Sequence, residues 1–118
     1  MPIRLKRVYE TPDEADGYRV LVDRLWPRGV KKEEARIDIW LREMAPSSGL
    51  RTWFGHDAEK WDEFKRRYFS ELERHPELVK ELMEKAQAGM VTLVFSSKEE
   101  RFNNAVALKE YLEHSRDR

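Results

Sequence analysis

The stretch DRLWPRG, residues 23–29, crowds an acid, two arginines, a tryptophan, a proline and a glycine into seven positions directly after the apolar run Tyr18 to Val22. In open α/β sheets, ligands bind in the crevice beyond the carboxyl ends of the strands. That rule selects this stretch and a second one, Ser96, Ser97 and Lys98, which follows the apolar run MVTLVF at 90–95. If the two strands run parallel, Arg24, Arg28 and Lys98 converge with the Ser96 and Ser97 hydroxyls and free helix amides on one anionic group, a phosphate or a carboxylate. A plainer reading stands beside it: Trp26 and Pro27 pack under the sheet, Asp23 pairs an arginine, and Ser-Ser-Lys is an ordinary turn.

His56 followed by Asp57 suggests a catalytic base with an orienting carboxylate. Neighbours in a chain seldom face one another, however, and the alternative is a turn histidine before a capping Asp57. His75 precedes Pro76 at a junction and His114 lies in a charged tail, so no pair of histidines has metal-ligand spacing and no metal site is expected. Trp53, Phe54, Trp61, Phe64, Tyr68 and Phe69 form an aromatic cluster whose helical spacing indicates core. Its other readings are a base-stacking surface, with Arg51, Arg66 and Arg67 on phosphates, or a protein interface.

Composition narrows the choices. The 118 residues suit one domain, 1–118, and Lys plus Arg number 23 against 23 Asp plus Glu, so no global field draws the chain to nucleic acid or a membrane. Any attraction for anions must be local. With no cysteine, disulfides, thiolate nucleophiles and Cys-based zinc sites are excluded. No apolar run approaches the length of a membrane helix, and MPIRLKRV lacks the apolar core of a signal peptide, so the expected location is cytoplasmic. The 39% of charged residues, with side-chain amides only at Gln87, Asn103 and Asn104, point to a thermophile.

The positioning elements follow from periodicity. IRLKRVY, residues 3–9, alternates with Ile3, Leu5 and Tyr9 on one side and reads as a strand; TPDEADG is a turn or a single helical turn; YRVLV is a second strand. VKKEEAR suggests a short helix, whereas the segment at 38–45 reads as either strand or helical turn. Pro46 to Gly49 break the chain before a short helical LRTWFG. A strong helix begins at Asp57, a second starts at Pro76 and stops near Gly89, and the apolar run at 90–95 is an interior strand at the sheet's centre. A last helix runs from about Asn103, with 113–118 expected to fray. The order gives an α/β fold, a small mainly parallel or mixed sheet flanked by helices.

The motifs DRLWPRG, APS, LRTWFGHD and WDEFKRRY, with VTLVFSSKEERFNNAVALKEYL after them, resemble the YeaO-like group of the family called domain of unknown function 488, from about Ile3 to Leu112. The resemblance implies a compact α/β domain with a mainly parallel sheet, and no established reaction, substrate or cofactor. It implies that more distant members carry Cys-His-Arg chemistry after the later buried strand. Here that segment is SSKEERFNNA, with neither cysteine nor histidine, so Ser96, Lys98, Asn103 and Asn104 are its substitutes and no thiol or metal mechanism carries over. The first loop is also short for a parallel crossover, which places the first two strands apart or antiparallel.

The leading functional expectation is a cleft for an anionic small molecule. Arg24, Trp26, Arg28, Ser96 and Lys98 would bind, and Asp23 or His56 would act as acid or base if hydrolysis or group transfer follows. The alternatives are a nucleic-acid binding module and an interaction domain built on Trp26 and the Trp53 cluster. The cofactor and oligomeric state are left open by the residues.

Overall fold

A computed structural model describes residues 2–115. Four strands, β1 (Ile3–Arg7), β2 (Tyr18–Leu21), β3 (Ile39–Trp40) and β4 (Val91–Phe95), form one sheet in the order β1-β4-β2-β3, and every pairing is parallel. The first two strands are therefore parallel and non-adjacent, with β4 between them. Helices α1 (Lys32–Ala35), α2 (Ser48–Phe54), α3 (Trp61–Leu72), α4 (Pro76–Ala88) and α5 (Asn104–Ser115) flank the sheet. This is the α/β class expected. Among the described residues no helix is long and apolar enough to cross a membrane.

β4 is buried at all five positions, as its near-continuous apolar sequence requires of a central strand covered on both faces. Val91, Leu93 and Phe95 join the large core with Val20 and Val22, against Phe64, Tyr68 and Leu72 of α3, Val79 and Leu82 of α4, and Leu108 and Leu112 of α5. These helix residues recur at three- and four-residue steps, which is why each helix buries one stripe. The other face carries a smaller cluster: Val94 and Leu21 with Val8 and Ala35, and with Trp26, Val30, Ile37 and Trp40 packed around them.

Several details differ from the sequence reading. Tyr9 does not share the apolar side of Ile3 and Leu5. β1 ends at Arg7, and Tyr9 lies beyond it, 50% exposed. The ambiguous 38–45 segment is both alternatives in succession, the two-residue β3 and then a 3₁₀ turn at Arg42–Met44. Asp57 caps a 3₁₀ turn, Ala58–Lys60, and α3 follows from Trp61. α5 continues to Ser115, so 113–115 are helical, while 116–118 lie outside the described residues.

The edge of the sheet opposite the candidate site is held by a buried carboxylate. Asp16 is fully buried and accepts from Arg19 Nη1 at 2.6 Å, Lys6 Nζ at 3.0 Å and the Asp13 amide at 3.0 Å. Burial pushes its carboxyl up, but the bonds from Lys6, Asp13 and Arg19 outweigh that and hold it below the usual carboxylate range. Its neighbour Gly17 has φ +65°, and a Cβ there would lie 2.3 Å from the Met90 carbonyl oxygen, which accepts from the Tyr18 amide where β2 starts beside β4. Only glycine fits this approach.

Because the folded-state pKa of Asp16 is lowered, its contribution to stability is complete above the unfolded-state value. It is lost as pH falls through the folded one. Chemical denaturation should show Asp16→Asn less stable by about 3–5 kcal/mol at neutral pH, with the difference narrowing below about pH 4; a constant difference down to pH 2 would contradict the assignment. Gly17→Ala should lose at least about 1–3 kcal/mol in the same measurement.

Candidate functional site

Because β2 and β4 are parallel neighbours, the two segments singled out in the sequence leave the same edge of the sheet side by side. Asp23 joins them. Its Oδ2 accepts from the Ser96 amide at 2.9 Å and the Ser96 hydroxyl at 2.6 Å, and its Oδ1 accepts from Asn104 Nδ2 at 3.2 Å. Its carbonyl accepts from Trp40 Nε1 at 2.7 Å, and Asn104 Nδ2 also reaches the Val22 carbonyl at 3.0 Å. One residue thus ties the ends of β2, β3 and β4 to the start of α5. Both carboxylate oxygens are thus engaged by internal donors, so Asp23 clamps the strand ends together.

The rest of DRLWPRG is set by similar constraints. Arg24 donates Nε to the Pro46 carbonyl at 3.2 Å and Nη2 to the Ala45 carbonyl at 3.3 Å, which fixes the APS loop. Trp26 turns back to give Nε1 to the Val30 carbonyl at 2.8 Å, and its ring meets Trp40 edge-on at 5.5 Å. The Trp26 indole N–H is therefore already engaged, and its ring lines the cleft. Pro27 is buried, Gly29 takes φ +72° at the turn, and Arg28 is exposed with its carbonyl accepting from the Tyr9 hydroxyl at 3.1 Å.

These elements enclose a cleft of about 560 Å³ at the carboxyl edge of the sheet. Arg24, Arg28, Asp23, His56 and Ser96 all line it, as does Trp26. Lys98 does not. The Ser97 hydroxyl accepts from the Glu99 amide at 3.0 Å, and the chain turns there with Lys98 exposed at the corner. Arg51, considered in the sequence only for phosphates of a nucleic acid, lines the cleft from α2. Its neighbours in the sequence gave no sign of this, because an exposed arginine on a short helix looks the same whichever surface it faces.

The other sequence candidates are occupied elsewhere. Ser96 gives its hydroxyl to Asp23. In the first turn of α5 the Val106 amide is already capped, because Asn103 Oδ1 accepts from it at 3.0 Å while Asn103 Nδ2 binds the Glu99 carbonyl at 2.7 Å. Asp57 accepts from the Glu59 amide at 3.0 Å and so caps a turn instead of orienting His56. His56 has φ +57° and lies exposed at the cleft, with its ring 6.2 Å from Phe54. Arg7, the last residue of β1, was not singled out in the sequence. It donates to the carbonyls of Ser97 at 2.9 Å and Ser96 at 3.2 Å and so pins the segment after β4.

The aromatic cluster is core. Phe64 stacks on Phe54 at 4.4 Å and on Tyr68 at 5.8 Å, and the buried Tyr68 hydroxyl donates to the Met44 carbonyl at 2.5 Å. Burial pushes the Tyr68 hydroxyl well above the usual tyrosine range, so it remains a donor. Arg66 and Arg67, the other arginines of the nucleic-acid reading, both pair with Glu63, and Arg67 also covers the Trp53 ring at 4.2 Å.

Comparison with known protein families matches residues 2–118 to the family described as the inactive DUF488-N3 subclade. The chain belongs to the DUF488 family, in its YeaO-like group. It is 40% identical over 112 residues to the uncharacterized protein YeaO of Escherichia coli K12, covering 95% of this chain and 97% of that one. It is 41% identical over 110 residues to the uncharacterized proteins Mb3100c of Mycobacterium bovis and Rv3073c of Mycobacterium tuberculosis, covering 93% of this chain and 92% of each. No solved structure matches it. In this DUF488 chain the motifs that carry the resemblance meet in one place: DRLWPRG and APS are joined through Arg24, and APS and WDEFKRRYFSEL through Ser47, whose amide and hydroxyl bind Glu71 at 2.8 and 2.6 Å. Among the described residues no three His, Cys, Asp or Glu side chains are grouped to hold a metal.

If Asp23 is a clamp, Asp23→Ala should cost at least about 1 kcal/mol, since it leaves several partly buried donors unpaired. Asp57→Asn should stay within about 0.5 kcal/mol of wild type, since asparagine caps equally well. Equal losses in urea titrations of the two variants would contradict the clamp.

Proposed function

We propose that the chain binds a small anion, a phosphate or carboxylate compound, in the cleft beyond β2 and β4. The observation that carries this reading is the imbalance of its lining: three arginines, Arg24, Arg28 and Arg51, against the single carboxylate of Asp23. That carboxylate is engaged by Ser96 and Asn104, and no arginine of the cleft pairs with it. Among the described residues, the guanidinium groups of Arg28 and Arg51 form no ion pair or hydrogen bond. Arg24 is bound only to two carbonyls, which leave its charge unneutralised. In a chain whose formal net charge is zero, this is a local concentration of positive charge with donors suited to an oxyanion.

Binding without turnover is the form of this reading that the residues favour. A free general base would have to be His56, since both oxygens of Asp23 are occupied, and neither Asp57 nor Asp23 bonds to its ring. The segment after β4, where the family resemblance would put the reactive groups, contributes a serine and two asparagines that serve the scaffold. The description of the matched subclade as inactive agrees with that.

Titration of the wild type with inorganic phosphate at low salt should give saturable heat and a rise in melting temperature. A ligand at one hundred times its Kd adds about 2.7 kcal/mol of stability. An Arg28→Ala, Arg51→Ala double variant, which removes no structural bond, should bind at least about tenfold more weakly, since each charge-assisted hydrogen bond is worth about 1.5–3 kcal/mol. Identical phosphate binding by the double variant and the wild type would remove the basis of the proposal.

A further inference from the structure

We infer that the natural occupant of the cleft is an organic anion with an aromatic body, such as an aryl phosphate or a nucleoside monophosphate, and not a bare inorganic ion. This inference rests on the anion reading above and adds the class of ligand. Size is the first ground. A cleft of about 560 Å³ holds roughly twenty water molecules at about 30 Å³ each, whereas an oxyanion of five heavy atoms displaces only a few. The volume lies within the range of sites that enclose small organic molecules, roughly 300–1,000 Å³.

The distribution of apolar surface is the second ground. Among the described residues, the large hydrophobic side chains that stand exposed are Leu25, at 68%, and Tyr9, at 50%, and both line this cleft. Leu25 follows Arg24 directly and belongs to neither hydrophobic cluster, so its exposed side chain is free to cover a ligand in the cleft. Phe102 and Trp26, both partly buried, add aromatic surface to the same lining, and Phe54 and Phe64 close its floor. The cleft therefore presents two kinds of surface together. Arginines would take a charged head, and Tyr9, Leu25 and Phe102 would cover a planar apolar body by stacking and burial.

The residues at the rim allow a clean test. Leu25 makes no side-chain hydrogen bond and packs into no cluster. Tyr9 offers a ring and, separately, a hydroxyl bonded to the Arg28 carbonyl. Calorimetric titrations would compare inorganic phosphate, glycerol phosphate, phenyl phosphate, adenosine monophosphate and phenol on wild type, Leu25→Ser, Tyr9→Ser and Tyr9→Phe proteins. Circular dichroism would confirm the fold of each variant.

The expected result is that phenyl phosphate or adenosine monophosphate binds at least about tenfold more tightly than inorganic phosphate or glycerol phosphate. Leu25→Ser and Tyr9→Ser should remove most of that advantage without changing phosphate binding, and Tyr9→Phe should keep it. Equal affinity for phenyl phosphate and inorganic phosphate overturns the aromatic requirement and leaves the anion reading standing. Phenol binding as tightly as phenyl phosphate overturns the anionic requirement. Binding of none of the five overturns both readings.

Discussion

The carboxylate of Asp23 is the point on which the carboxyl edge of this fold depends. Three parallel strands end there, and parallel strands cannot be closed by a hairpin, so each must be continued by a separate segment of chain. Asp23 gathers those segments by accepting from Ser96 and Asn104 and, through its carbonyl, from Trp40. Each bond satisfies a donor that would otherwise be partly buried without a partner, and an unmade bond of that kind costs more than a made one gains. Arg7, reaching across from β1 to the Ser96 and Ser97 carbonyls, completes the frame. The hydrogen-bonded strand ends on this side of the cleft thus form a network in which both Asp23 carboxylate oxygens and their donors are partnered.

The opposite edge of the sheet uses a different solution to the same problem. There Asp16 is buried among Arg4, Lys6 and Arg19, and the Thr92 hydroxyl on β4 donates to its carbonyl at 2.7 Å. Arg19 is itself buried, with Nε on the Ala35 carbonyl at 3.1 Å and Nη2 without a partner among the described residues. A buried charge cluster is an expensive way to join β1, β2 and β4, but it fixes register, because a slip of one residue would carry Arg19 into the apolar core. The two ends of the sheet are thus anchored by one carboxylate each. One is surrounded by cations and the other by neutral donors.

How much of this was legible in the sequence depended on the distance over which each signal acts. The interior strand at 90–95 and the helices at 61–72 and 76–88 were readable because burial imposes a period on neighbouring residues. The location of the site was readable because strand ends in a parallel sheet share an edge. The roles inside DRLWPRG were not. Asp23 finds Asn104 at a separation of 81 residues and Arg24 finds Ala45 at 21, and nothing in either residue's own surroundings distinguishes a clamp from a base or a ligand. Lys98 and Arg51 were exchanged for the same reason. A single turn after β4 decides which way Lys98 points, and the entry angle of a seven-residue helix decides where Arg51 lies. Tyr9 was misplaced because alternation was extended two residues past the last ladder position of β1.

The positive character of the cleft follows from where the nearby carboxylates are committed. Arg24 stands between the cleft and a smaller hollow that contains Glu43 and Glu71, either of which is chemically able to neutralise it. Glu71 instead accepts from the amide and hydroxyl of Ser47, a geometry that also holds the residue capping α2. Asp57 is engaged in its own cap and Asp23 in the clamp. A guanidinium bound to two carbonyls has no neighbouring negative charge to offset its field, whereas one paired with a carboxylate does. The bonds that build the APS loop and start α2 therefore leave Arg24 without a neutralising partner, beside Arg28 and Arg51, which form no ion pair among the described residues. Scaffold and electrostatics are here one arrangement, and a change to Ser47 or Glu71 would alter the field in the cleft without touching anything that lines its mouth.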